Sequence, residues 1–313
     1  MKLNQLMNIN SIKAHLEVAR NFKDANGVLL AQHLTHVDPN IFKKLYPENV
    51  FLNSGLTIDN SGGLKNQIKK IRLSAKGSFE DANNRGANKG LISLDAENDT
   101  IGVIAKETSI NYTDDEITQA KEENINIVER LLSATDEIYR QEIDEILATG
   151  STLNKGLLNY SGFTVDSGSD IALMSGTDAY DVIAQLIIDQ RNAVNNTNGY
   201  MANIVMMPTR VLNIISSKKW KPETSEKSVL KMLMEDFTDV KFLSSWRAND
   251  VNGTSVTTAY STNPNGIIIR IPQPLIIGKT VPEGSFGYRA DAKYRIAGID
   301  VAENKAGRHL TGL

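Results

Sequence analysis

The chain has 313 residues, of which 41% are hydrophobic and 23% charged, and its formal net charge is −3 at pH 7. This balance is typical of a folded protein and gives no overall basic footprint for nucleic acid. Cysteine is absent, so disulfides, thiolate catalysis and cysteine metal sites are excluded. The sequence starts without an apolar core segment and its aliphatic runs are short, so we expect neither a signal peptide nor a membrane span.

Residues 1–50 are predicted to form an arm. Helical character is weak over residues 6–22, and residues 29–34 form a second short apolar patch. Neither segment carries enough apolar residues for a core of its own, so we expect much of the arm to extend over a neighbouring molecule.

Residues 51–110 are predicted to form a long two-stranded excursion. Residues 67–75 alternate in part between apolar and basic side chains, and residues 100–107 are β-branched and apolar. The polar segment between them, residues 79–90, is rich in Asn and Gly and forms the tip. From residue 62 to residue 90 the excursion holds seven basic and two acidic residues, a net charge of +5.

Residues 114–149 are predicted to form one uninterrupted helix. Thr113 and Glu116 have the spacing of a capping box, and acidic residues fill the first turn. Apolar residues then recur at helical spacing without Pro or Gly until Gly150, which favours the end of a helix. At about 1.5 Å per residue, such a helix would be roughly 50 Å long.

The predicted helix is strongly acidic, with eleven acidic and three basic residues. One interpretation is a solvent-exposed face. The other is that the basic excursion of one subunit contacts the acidic helix of the next. The second interpretation gives a candidate assembly interface formed by Lys65, Lys69, Lys70, Arg72, Lys76, Arg85, Glu122, Glu129, Asp136 and Glu137.

Residues 166–280 read as an α/β segment. The patterns predict helices at 177–193, 209–217 and 225–236, with Thr177 as the first N-cap, and strands at 202–207, 240–246, 258–260 and 266–271. We expect a small mixed sheet flanked by helices. Residues 285–301 then form one or two strands that return to the long helix. The helix and this tail would form one discontinuous domain, with residues 166–280 inserted.

Catalytic motifs are scarce. His33, His36 and Asp38 could offer ligands to a metal, but they lack the glutamate of the zincin helix motif. Residues 166–170 form an acidic loop that is too short for an EF-hand calcium site. No phosphate-binding loop, dinucleotide fingerprint or nucleophile elbow occurs. We therefore expect neither an enzyme nor a cofactor. A metal-dependent hydrolase using His33, His36 and Asp38 is the less favoured alternative.

Three stretches resemble a known family. Residues 136–159 (DEIYRQEIDEILATGSTLNKGLLN), 204–214 (IVMMPTRVLNI) and 294–301 (YRIAGIDV) are similar to parts of the major capsid protein of tailed bacteriophages, which has the Hong Kong 97-type fold. The Gly-Gly that closes many relatives is replaced here by Ala297-Gly298. The order of arm, basic hairpin, long helix, inserted segment and returning strands also resembles this family.

The resemblance implies an α+β fold with named parts. Residues 1–50 correspond to the N-terminal arm and residues 51–110 to the E-loop with its flanking strands. Residues 111–165 plus 281–313 correspond to the peripheral (P) domain with its spine helix at 114–149. Residues 166–280 correspond to the inserted axial (A) domain.

The resemblance also implies a function. Such proteins self-assemble into pentamers and hexamers that form an icosahedral shell around phage double-stranded DNA. The implied partners are further copies of the chain, packaged DNA bound non-specifically, and portal, scaffold or decoration proteins, without a membrane or a cofactor. The implied location is the virion, with assembly in the host cytoplasm. An encapsulin-like nanocompartment shell is the alternative with the same fold.

Overall fold

The structure is a computed structural model that describes residues 48–78, 92–122, 126–195, 199–223 and 225–313; for residues 72–74 it describes the backbone alone. Residues 1–47 of the expected arm, with the candidate metal ligands His33, His36 and Asp38, lie outside the described residues, as does the hairpin tip with Arg85. The described helices are α1 (Asp114–Glu122), α2 (Ile127–Thr149), α3 (Gly176–Ala193), α4 (Thr209–Ser217) and α5 (Val229–Asp236).

The prediction of one helix from 114 to 149 is wrong, because α1 and α2 are separate. Asn126 has extended backbone angles, φ −89° and ψ 90°, and its side chain accepts a hydrogen bond from the Glu129 N–H at 3.2 Å. An N-cap of this kind starts a new helix. Apolar spacing alone did not reveal the break, because the period continues across it. The helix α2 has 23 residues and a length of about 35 Å.

Other helix ends follow local capping. The capping box of α1 is confirmed, since the Glu116 N–H donates to Thr113 and the Thr113 N–H donates to the Glu116 carboxylate. Gly150 ends α2 with a φ of 90°. The helix α4 has the predicted bounds. By contrast, α3 starts after Ser175 rather than Thr177, and α5 starts later than predicted, after Ser228, because each serine caps the first turn.

The strands are β1 (Ile58–Asp59), β2 (Gln67–Gly77), β3 (Ile92–Gly102), β4 (Ile104–Thr113), β5 (Thr164–Ser167), β6 (Ile204–Pro208), β7 (Lys241–Ser245), β8 (Val256–Tyr260), β9 (Ile267–Arg270), β10 (Gln273–Ile277), β11 (Val281–Glu283), β12 (Gly287–Ile296), β13 (Gly298–Val301) and β14 (Gly307–Thr311). Short 3₁₀ turns occupy Trp246–Asn249 and Asn304–Ala306. The strands predicted between residues 202 and 271 are confirmed to within two residues at each end.

In the described part of the chain, the strands form four sheets. The strands β2 and β3 form a two-stranded antiparallel hairpin, and β9 lies between β1 and β13. The strand β12 pairs with β4 on one side and with β10 and β11 on the other. The largest sheet has the order β5-β14-β8-β6-β7 and is mixed, as expected for the inserted segment.

The strand predicted at 100–107 is wrong, because two strands meet there. The strand β3 ends at Gly102 and pairs with β2, whereas β4 begins at Ile104 and pairs with β12. Val103 between them is buried and donates its N–H to the Asn66 carbonyl at 2.8 Å. The hairpin and the sheet around β12 are therefore joined through a single buried residue.

The expected grouping of residues 281–313 with the long helix is wrong for the last strand. The strand β14 lies between β5 and β8 in the largest sheet, and β9 and β10 pair with β13 and β12. The tail therefore contributes β14 to the sheet of the inserted segment, and the inserted segment contributes β9 and β10 to sheets of the tail. Pairing between residues so far apart in sequence is set by the tertiary fold, which local patterns do not encode.

Two apolar clusters lie on the two faces of the largest sheet. Val205 and Met207 of β6 pack with α3, α4 and α5, whereas Ile204 and Met206 face the cluster that contains the C-terminal half of α2. Alternate residues of a strand point to opposite faces. Because both faces of β6 are buried, its sequence is a continuous apolar run rather than an alternating one.

Candidate functional site

The hairpin of β2 and β3, called the ribbon from here on, carries an uncovered apolar face. Residues paired across two strands share a face, and the register pairs Ala75 with Leu94 and Gly77 with Ile92. Ile71 lies on the same face, at even spacing from Ala75. The exposed fractions are 62% for Ile71, 60% for Ile92 and 70% for Leu94. Exposed apolar residues grouped on one face are typical of an interaction surface.

The opposite face of the ribbon is charged and largely paired within the chain. Lys70 forms an ion pair with Asp99 at 3.5 Å, and Lys76 forms one with Asp95. The strand β2 has four basic residues, while β3 has three acidic ones. The net charge of +5 counted over residues 62–90 left out β3, whose acids nearly balance the bases of β2.

Lys70 anchors the base of the ribbon. Its side chain is only 12% exposed and pairs with the buried Asp300 of β13. It also donates a hydrogen bond to the Val301 carbonyl at 3.3 Å. Arg270 of β9 completes the cluster, because it contacts Asp300 at 3.1 Å and pairs with Asp59 of β1. A lysine held in this way is not available to a second molecule.

The other candidate interface residues are placed as follows. Lys65, Lys69, Glu122 and Glu129 are exposed, and Glu137 is half-buried. Asp136 pairs with Arg140 at 2.8 Å on α2. The Arg72 side chain and all of Arg85 lie outside the description. Among the described residues, no ion pair joins a ribbon base to an acid of α1 or α2, so the structure of one chain does not bring the two groups together.

A groove of 680 Å³ lies between α2 and the sheet around β12, and we call it the α2 groove. One wall is the apolar face of α2, formed by Leu131, Ala134, Thr135 and Ile138. The opposite wall is the consecutive run 106–111 of β4. Leu275, Ala292 and Tyr294 add further lining.

A polar cluster around Glu142 forms part of the lining of the groove. Lys106 forms an ion pair with Glu142, and the Tyr294 hydroxyl donates to the same carboxylate at 2.6 Å. Burial, and then the hydrogen bond to Glu142, raise the pKa of Tyr294. The ring of Tyr139 packs edge-on against that of Tyr294, with 5.0 Å between ring centroids. This cluster joins α2 to β4 and β12.

In the described part of the chain, the strand β4 lies at an edge of its sheet. All ten residues of β4 pair with β12 on one side. Within the described ranges, no strand pairs with the other edge of β4. Open edges present backbone N–H and C=O groups that can bind a further strand. The sequence analysis missed the groove, because its walls are distant in sequence; the small Ala134 and Ala292 were the available signal.

In the ranges that the structure covers, no group of three or more His, Asp or Glu is placed to hold a metal ion. No described helix is both long and apolar enough to cross a lipid bilayer.

Solved phage capsid structures have the same fold. The capsid of Myoviridae Phage XM1 is 38% identical, and the match covers 92% of this chain and 100% of that chain with a TM-score of 0.81. The capsid of a native GTA particle matches at 10% identity over 93% of this chain and 99% of that chain, with a TM-score of 0.66. The structure titled Mycobacterium phage Ogopogo matches at 10% identity over 93% and 100%, with a TM-score of 0.59. The last two matches show the fold alone.

The fold is therefore an α+β capsid fold, and it defines a structural subunit of a phage capsid. More particularly, the chain belongs to the major capsid protein family, whose profile matches residues 83–313. The comparison with curated proteins found no match. Membership confirms the expectation of a structural, non-enzymatic protein of the bacteriophage virion that assembles with itself. The hydrolase alternative has no support in this family.

Proposed function

We propose that this chain forms a Hong Kong 97-type icosahedral shell, built from pentamers and hexamers, around double-stranded phage DNA. Family membership and the structural match to a Myoviridae phage capsid support the proposal. In this proposal the ribbon is the E-loop, α2 is the spine helix, residues 1–50 are the N-terminal arm, and the largest sheet with α3, α4 and α5 is the axial domain. The strands around β12 belong to the peripheral domain.

The observation that carries the proposal is the uncovered apolar face of the ribbon. An isolated two-stranded hairpin is marginally stable in water. Ile71, Ile92 and Leu94 are nevertheless left exposed by the rest of the described chain. A subunit that covers this face with a neighbour removes the apolar surface from water and stabilises the ribbon at the same time.

The proposed assembly interface differs from the electrostatic one inferred from sequence. Lys70, Lys76 and Asp136 are occupied by partners within the chain. Lys65, Lys69, Glu122, Glu129 and Glu137 stay in the proposed interface as its polar rim, where charges contribute specificity more than affinity. The centre of the proposed interface is apolar.

Further parts of the proposal concern partners and location. Packaged DNA is held non-specifically, because the net charge of −3 offers no strong attraction for phosphates. Portal, scaffold or decoration proteins join the shell, and assembly takes place in the host cytoplasm.

The test is light scattering with electron microscopy on the purified protein. We expect closed shells, or uniform pentamers and hexamers, in place of the 34.4 kDa monomer. Nucleic acid that survives nuclease treatment inside particles from infected cells would support DNA packaging, whereas an enzyme cargo would favour the nanocompartment alternative. A protein that stays monomeric at high concentration, with and without a crowding agent, would contradict the proposal.

A further inference from the structure

We propose that Asn252 is a site of spontaneous deamidation, in which the Gly253 nitrogen attacks the Asn252 side-chain amide and the Asp250 carboxylate takes the proton. The product is an aspartate or an isoaspartate at residue 252. This inference does not depend on the proposed shell function, because it concerns the chemistry of one turn within the folded chain.

The sequence has four Asn-Gly pairs, at residues 26–27, 198–199, 252–253 and 265–266. A glycine after an asparagine leaves the backbone nitrogen unshielded, so that this nitrogen can close a five-membered ring on the side-chain amide carbon. The structure describes both residues of the last two pairs only. It places these two pairs in different surroundings.

Asn252 and Gly253 form the tip of a two-residue turn. Val251 and Thr254 are bridged on either side of it, with 2.8 Å between the Val251 nitrogen and the Thr254 carbonyl oxygen. Asn252 has a φ of 57° and Gly253 a φ of 88°, and Asn-Gly is the pair that adopts such left-handed turn values most readily. Both residues are exposed, and beyond its chain neighbours no described atom lies within 4 Å of where a Gly253 side chain would be. The tip therefore has room for the ring to form.

The Asp250 carboxylate contacts the nitrogen that must react. It accepts the Gly253 N–H at 2.8 Å. The nitrogen becomes a nucleophile when it loses this proton, so the hydrogen-bonded carboxylate occupies the position of a general base. The Gly253 nitrogen then bonds to the Asn252 side-chain carbon, and the bond from that carbon to its amide nitrogen breaks. The leaving nitrogen takes the proton from Asp250 and departs as ammonia.

Water completes the reaction. It adds to either carbonyl carbon of the succinimide ring, and the opened ring is an aspartate or an isoaspartate. Each event adds one negative charge beside Asp250, and isoaspartate also lengthens the backbone at the tip of the turn. Because the neighbouring Val251 is buried, the reaction alters charge and geometry at the border of the core.

The pair Asn265-Gly266 lacks this arrangement. The Gly266 N–H donates to the Asn263 carbonyl oxygen at 2.9 Å, and a carbonyl oxygen is not a general base. The Gly266 carbonyl oxygen accepts the N–H groups of Ala302 at 2.8 Å and Glu303 at 3.3 Å. Gly266 is also buried. Ring formation at this pair would break these bonds, so the pair serves as a reference within the same chain.

The experiment follows both pairs in the intact protein by peptide mapping with mass spectrometry. Folded protein is incubated at neutral pH, and aspartate and isoaspartate are scored at each pair over time. The same protein in urea is the reference, because the fold no longer constrains either pair. Asp250→Asn keeps an oxygen acceptor for the Gly253 N–H but removes the carboxylate. Asp181→Asn on the exposed side of α3 is the matched control for the loss of one acid.

In the folded protein, we expect Asn252 to deamidate at least about tenfold faster than Asn265, because a misplaced nucleophile loses that much rate or more. Asp250→Asn should lower the rate at Asn252 by about tenfold, whereas Asp181→Asn should leave it unchanged. In urea, the two pairs should react at similar rates.

Three results would overturn the inference. They are equal rates at the two pairs in the folded protein, a difference that persists in urea, and an Asp250→Asn variant that reacts as fast as wild type or no more slowly than Asp181→Asn. None of these results depends on whether shells form, so the proposed function stands or falls separately.

Discussion

At the residue scale, buried charged groups connect segments that are distant in sequence. Asp144 on α2 is buried, accepts the Phe51 N–H at 2.7 Å and contacts Arg247 at 3.2 Å. Burial raises the pKa of Asp144, and the hydrogen bonds from Phe51 and Arg247 oppose that effect. The Asp144 carboxylate therefore connects the segment around Phe51 to α2.

His309 predicts a pH dependence of stability. It is buried on β14, and burial lowers its pKa from 6.5 to about 4. The folded state therefore binds fewer protons than the unfolded state between these values. The stabilising contribution is present above pH 6.5 and is lost as the pH falls towards 4, by about 3 kcal/mol in total.

The measurement for His309 is urea unfolding from pH 7.5 to pH 4. We expect His309→Gln to lose the part of the pH dependence that arises between 6.5 and 4. Thr258→Val is the matched control, because it removes the hydroxyl 2.8 Å from the His309 ring nitrogen but keeps the imidazole. Parallel pH profiles of wild type and His309→Gln would contradict this reading.

Lys70 and Lys76 are expected to differ sharply, although both are basic residues of β2. Lys70→Met should lower the free energy of unfolding by about 2 kcal/mol, because the buried Asp300 loses a charged partner. Lys76→Met should change it by no more than about 0.5 kcal/mol, since its pair with Asp95 is exposed to solvent. Chemical denaturation measures both; equal losses would show that Lys70 is not an anchor.

At the element scale, Asn126 allows separate helices to be distinguished from one continuous helix, because the two cases predict stability changes of opposite sign for its replacement by Ala. Asn126→Ala should destabilise the protein by about 1 kcal/mol, because the Glu129 N–H loses its cap. In a continuous helix, the same change would stabilise the protein, since Ala has the higher helix propensity. Thermal unfolding decides between the two, and Asn126→Ser, which keeps an oxygen acceptor for the Glu129 N–H, should lose less stability than Asn126→Ala.

The ribbon shows why elements differ in how far their sequence explains them. Its two faces follow directly from the alternation of side chains along β2 and β3. Its base is fixed by Val103 and Lys70, whose partners lie in the loop before β2 and on β13. The two faces of the ribbon are encoded by its own sequence, whereas its attachment depends on residues from distant parts of the chain.

At the scale of the whole molecule, the proposed assembly depends on apolar burial. We expect Leu94→Asp to abolish shells and Ser93→Asp to permit them, because the two residues lie on opposite faces of the same strand. Wild-type shells should persist at 1 M salt, where the Debye length is about 3 Å and exposed charges are screened. Light scattering measures both, and shells that dissolve in salt but tolerate Leu94→Asp would favour the electrostatic interface.

The sequence by itself determined the locally encoded parts of this protein. The capping box of Thr113 and Glu116, the bounds of α4 and the apolar run of β6 depend on near neighbours and on burial. The family resemblance was also readable, because it rests on short stretches and on the order of elements. The break at Asn126 was a local signal too, but the continuing apolar period hid it.

Only the tertiary structure decided which distant residues meet. It placed β14 between β5 and β8, and it gave Lys70 partners on β13, where Val301 lies 231 positions further along the chain. It also formed the α2 groove from α2, β4, β10 and β12. These features depend on long-range packing, which local sequence patterns do not encode. Lys70 and Lys76 are both lysines of β2, but only Lys70 is brought beside a buried carboxylate.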